Sequence, residues 1–83
     1  MNRSEMKRIQ ELQWKLYVKR HLREVDNEFK FAALDRDGTV YLYNEKPSIN
    51  AFGQWGTASA TNVLYADNLF DECVIWKESL VAL

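Results

Sequence analysis

Eighty-three residues are enough for one domain, residues 1–83, which buries only about 60–65% of its unfolded surface, so a deep catalytic cleft would consume much of its core. A single cysteine, Cys73, excludes an internal disulfide and points to a reducing, cytoplasmic setting. The net charge of −1 conceals a split: residues 1–25 carry seven Lys/Arg against three acids, and residues 26–83 carry four against nine.

Met1 to Gln10 lacks the apolar run of a signal peptide, and no stretch approaches the roughly 18 apolar residues of a membrane span, so a soluble chain with no membrane partner is expected. Residues 3–25 read as one helix. Asn2 stands at its start with Glu5 three residues on, the spacing of a capping box, and no Gly or Pro occurs before Gly38. Its apolar residues fall on two sides: Met6, Ile9, Leu12 and Leu16 on one, and Trp14, Val18, Leu22 and Val25 on the other. A surface helix normally carries one stripe. Either the helix bends near its middle, or one side packs on the chain's own sheet and the other meets a second molecule; the absence of Gly and Pro favours the latter. The side bearing Trp14, Val18 and Leu22 is then the candidate interface, for a homodimer or a host or phage protein.

The remainder, residues 29–83, reads as a sheet region. Phe29 to Leu34 and Thr39 to Tyr43 form a hairpin across Asp35-Arg36-Asp37-Gly38, with Gly38 free to take positive φ. Short strands are expected around Phe52 to Trp55, Asn62 to Ala66 and Cys73 to Trp76. Ala58 to Thr61 reads as a loop and Leu69 to Glu72 as a helical turn. The apolar Leu80 to Leu83 is expected to dock on the sheet edge. The expected fold is α+β, a long N-terminal helix packed on an antiparallel sheet of three to five strands. Its expected core is Phe29, Phe31, Val40, Leu42, Trp55, Leu64, Ile75 and Leu80.

Chemical motifs are sparse. Asp35 to Thr39 resembles the opening of a calcium loop, but Val40, Tyr41 and Leu42 follow where oxygen ligands are required, so the turn reading wins. His21, the only histidine, sits among Lys19, Arg20 and Arg23 without an orienting acid, and Cys73 lies in an apolar run. No phosphate-cradling glycine loop occurs. A non-enzyme without metal or cofactor is expected. Arg8, Lys15, Lys19 and Arg23, spaced 7, 4 and 4 apart, make a basic stripe along the helix. Such a stripe can be merely solvated, meet an acidic protein surface, or track phosphates.

From Phe31 to Pro47 the chain reads FAALDRDGTVYLYNEKP, followed by Trp55 and a terminal Trp76-Lys77-Glu78-Ser79-Leu80. This resembles a loose group of short proteins encoded by bacteriophages and prophages, which show a D-x-D-G turn, a K-P strand end and a final W-x-x-S-L. The helix lies outside that pattern. The resemblance implies a phage or prophage origin and action inside a bacterial host cell. Small phage proteins of this kind often bind a host protein, as inhibitors of defence complexes such as the anti-CRISPR proteins do. Three functions are thus carried forward: a binding protein that inhibits a host protein such as a CRISPR-Cas complex, a nucleic-acid-binding accessory protein using the basic stripe, and a small structural or assembly subunit.

Overall fold

Helix α1 spans Arg3–His21 in the computed structural model, which describes residues 2–57 and 62–83. The Asn2 side chain accepts the Glu5 backbone N–H at 2.9 Å and donates its amide to the Glu5 carboxylate at 3.0 Å. The expected cap is therefore present, with the acid answering the Asn2 side chain instead of its backbone. The helix ends four residues earlier than expected from the sequence. Leu22 closes it with an N–H to the Val18 carbonyl, and the Tyr65 hydroxyl donates to the free carbonyl of His21 at 3.1 Å. Beyond it, Asp26 and Asn27 favour turns, because their side-chain oxygens compete for backbone N–H groups; Phe29 N–H donates to the Asp26 carbonyl.

Strands β1 (Phe31–Leu34), β2 (Val40–Tyr43), β3 (Ser48–Ile49), β4 (Trp55–Gly56), β5 (Asn62–Ala66) and β6 (Val81–Ala82) follow. The main sheet has the order β5-β2-β1-β6, antiparallel throughout, and β3 pairs with β4 in a separate ladder. In the β1–β2 turn, Gly38 holds φ at 81° and its carbonyl accepts the Leu69 N–H at 2.9 Å. A Cβ at Gly38 would collide with the Phe70 carbonyl, so glycine serves both the turn and the close approach of residues 68–70. The terminal tetrad docks as expected, with Val81 opposite Ala32 and Ala82 opposite Phe31.

One α1 face, the sheet face bearing Ala32, Leu34, Val40 and Leu42, and the segment Cys73 to Trp76 enclose the core. The helix is continuous, so it has two apolar faces, but the expected assignment is reversed. Trp14 is 4% exposed and Leu22 1%, with Val18 packed half-buried beside them, whereas Ile9, Leu12 and Leu16 are 41%, 61% and 42% exposed. The candidate interface residues Trp14 and Leu22 are therefore core. Four apolar residues on each side leave the choice of face open in sequence; polar contacts and ring size decide it. The Trp14 indole N–H donates to the Ser79 carbonyl at 2.8 Å. On the same face Gln10 donates to the Glu72 carbonyl at 2.6 Å and accepts the Val74 N–H at 2.9 Å. A large ring with its polar atom satisfied contributes more on burial than an aliphatic side chain.

Of the expected core, Val40, Leu42 and Ile75 are buried, Phe29, Phe31, Trp55 and Leu80 are half-buried, and Leu64 is 48% exposed. Leu64 stands opposite Tyr41, on the face away from Val40 and Leu42 and hence from the helix, and a register shift between Val40 and Tyr41 then sets Ala66 opposite Val40. Two further expectations are corrected. Leu69 to Glu72 bends without a helical turn, and Cys73 to Trp76 is a turn entering a 3-10 helix at Trp76–Glu78. Both follow from where the backbone donors go. Cys73 N–H reaches the Arg36 carbonyl and Val74 N–H reaches Gln10, while β6 occupies the edge of β1. The loop expected at Ala58 to Thr61 lies outside the described residues.

The W-x-x-S segment is the junction of the fold. Ser79, fully buried, accepts the Leu34 N–H at 2.8 Å and has the Trp76 carbonyl 2.7 Å from its hydroxyl. The Trp55 indole N–H donates to the same Trp76 carbonyl at 2.9 Å. Helix, sheet and small ladder are thus all tied to four consecutive residues.

Candidate functional site

Among the described residues no group of three His, Cys, Asp or Glu is placed to hold a metal ion. His21 is exposed, its ring 4.7 Å from that of Tyr17. Burial pushes the Cys73 thiol up to about 11, so it stays protonated at neutral pH.

Asp35 is the one carboxylate in the β1–β2 turn with a buried, unpartnered oxygen, Oδ1. Burial raises its carboxyl above the ordinary 3.8, opposed by a hydrogen bond from the Trp55 backbone and aided by the charge of Asp37. A raised acid makes the fold favour the protonated form, so stability is greatest below the unfolded value and declines as pH rises through the folded one. Asp35→Asn is accordingly expected to melt above the parent at neutral pH, with the gap closing on acidification. Thermal melts across that range check it; a constant gap, or a variant less stable at neutral pH, contradicts it.

The basic residues compose a surface. Lys15, Val18, Lys19, Leu22, Arg23, Ala82 and Leu83 line an open groove of about 540 Å³ between the C-terminal half of α1 and β6. Half-buried Val18 supplies the accessible apolar floor, and Leu22, buried in the core, closes it from beneath. Lys15, Lys19 and Arg23, all exposed, supply one rim, and Ala82 and Leu83 the other. The structure thus brings together three of the four stripe residues and two of the three apolar candidates. Arg8 lies two turns away from Lys15 along α1, and Trp14 lies in the core.

Two further properties bear on the groove. Lys7 forms ion pairs with Glu11 and Glu78, at 4.0 and 3.4 Å. Among the described residues no carboxylate stands within 4.0 Å of Arg8, Lys15, Lys19 or Arg23, so the acidic half of the chain does not neutralise the stripe by direct pairing. The outer edge of β6 is also open among the described residues. Leu83 N–H points to the Lys30 carbonyl at 2.8 Å, and strand alternation turns the N–H and C=O of Ala82 outward, to the open edge. Sequence reading found the cations and the edge-docked tetrad separately; their juxtaposition is a tertiary fact carried by no local pattern.

Fold and groove define an α+β domain with an amphipathic, cation-rimmed cleft beside a strand edge, and no helix among the described residues is long and apolar enough to cross a membrane. No family model, curated protein or solved structure matches the chain.

Proposed function

We propose that this chain is a non-enzymatic binding protein acting through protein–protein contact, and that the groove between α1 and β6 takes an extended acidic segment of its partner. One observation supports this reading most: among the described residues, three cations with no carboxylate within 4.0 Å stand over an apolar floor and beside an open strand edge. A segment lying along β6 turns every second side chain towards α1. There an apolar group fits over Val18, and a carboxylate reaches Lys15, Lys19 or Arg23. The resemblance of residues 31–80 to short phage-encoded proteins makes a bacterial host protein, such as a component of a CRISPR-Cas complex, the first partner to test, with inhibition as the consequence of binding.

Nucleic acid is the second reading, favoured by the four exposed cations Arg8, Lys15, Lys19 and Arg23. The net charge of −1 and the apolar floor support a protein partner over it. Capture from nuclease-treated bacterial lysate separates the two. The parent protein is expected to retain a stoichiometric partner, and Lys15→Glu/Lys19→Glu/Arg23→Glu to lose about tenfold or more of it. The substitutions are at exposed positions, so the melting curve is expected to shift little. Equal recovery by both proteins contradicts the groove. Recovery that vanishes with nuclease and falls steeply with salt moves the assignment to phosphate binding.

A further inference from the structure

We infer that the exposed apolar face of α1 is an interface with a second copy of this chain, the two helices running antiparallel. Ile9, Leu12 and Leu16 are 41%, 61% and 42% exposed, and no element among the described residues covers them. With Glu5 and Lys19 they form a run spaced 4, 3, 4 and 3, the seam of a coiled-coil pair. The seam ends in opposite charges: Glu5 at the N-terminal end, Lys19 and Arg20 at the C-terminal end. A parallel pair would set Glu5 against Glu5 and Lys19 against Lys19. An antiparallel pair sets Glu5 of each copy between Lys19 and Arg20 of the other, with Ile9 opposite Leu16 and the two Leu12 side chains at the two-fold axis. Arg8 and Lys15 flank the other side of the seam, where Arg8 of each copy faces Lys15 of the other, a like-charge contact that weakens the pair.

The surface beside the seam matches the same arrangement. A depression of about 450 Å³ next to Met6 and Ile9 is rimmed by Asp71 and Glu72. It lies on the flank and at the level that Arg20 of an antiparallel second copy reaches. The seam is short. A helix of 19 residues is about 28 Å long, and a facing strip about 10 Å wide offers a few hundred Å² per copy. Stable complexes bury about 800 Å² per partner, so this dimer forms weakly and with marked dependence on concentration.

Sedimentation of the full chain from micromolar to millimolar concentration tests the inference. The mass is expected to rise from monomer towards dimer. Leu12→Glu is expected to weaken association about tenfold or more at an unchanged melting curve. Glu5→Lys and Lys19→Glu/Arg20→Glu are each expected to weaken it, and their combination to restore it. A parent protein monomeric throughout overturns the inference and leaves this face to a different partner. So does association indifferent to Leu12→Glu, or a combined variant no better than its components, since restoration requires the antiparallel register.

Discussion

Trp14→Ala is expected to leave the chain unfolded or nearly so. Removing a large buried ring costs about 3–5 kcal/mol. Trp14 is 4% exposed and also supplies the donor for the Ser79 carbonyl, which the truncation leaves unpaired in the core. A domain of this size has a total stability of roughly 4–12 kcal/mol, so the loss consumes much or all of it. Leu12→Ala is the control, because Leu12 is 61% exposed and its truncation changes monomer stability by no more than about 0.5 kcal/mol. Circular-dichroism melts at low concentration compare the two. A Trp14→Ala protein that melts with the parent, beside a Leu12→Ala protein that unfolds, would mean that the opposite helix face is the core.

Ser79→Ala tests the junction. The change removes a single oxygen, yet that oxygen accepts the Leu34 N–H at 2.8 Å in a fully buried position. Leaving such a donor unsatisfied costs about 1–3 kcal/mol. The same hydroxyl stands 2.7 Å from the Trp76 carbonyl, which also accepts the Trp55 indole, so the loosened turn affects the attachment of the small ladder as well. A lower urea midpoint is expected, with faster hydrogen exchange at the Leu34 amide. An unchanged midpoint would show that Ser79 is replaceable and that the W-x-x-S segment is held by packing alone.

These two sites also show how much was legible in the sequence. The helix start, the β1–β2 hairpin, strand β5 and the docking of the last residues were readable, because each rests on a local signal: Asn2 with Glu5, Gly38 in its turn, β-branched and aromatic runs, and a terminal apolar tetrad. The choice of helix face was not. It depends on Trp14 meeting Ser79 and Gln10 meeting Glu72 and Val74, partners more than sixty residues away. Residues 69–76 were misread for the same reason, since an apolar run looks like a strand until its N–H groups are seen to pair with a helix side chain and a turn.

The site followed the same division. Lys15, Lys19 and Arg23 were visible as a helical stripe because their spacing is local. Val18 and Leu22 were visible as apolar, but not as the floor of a groove whose far rim is Ala82 and Leu83. The exposed seam of Ile9, Leu12 and Leu16 was visible as apolar and expected to be core. In each case the residue types were apparent and their three-dimensional partners were not.

The most direct test of the groove is a backbone-amide chemical-shift titration of the whole protein. The probes are a short peptide of glutamate and leucine and its counterpart of lysine and leucine. The acidic peptide is expected to shift the amides of Lys19, Leu22, Arg23, Ala82 and Leu83 in a saturable way, and the basic peptide to leave them in place. If both peptides shift these amides alike, or if neither does while the amides of Ile9 to Leu16 respond, the groove between α1 and β6 is not the binding surface.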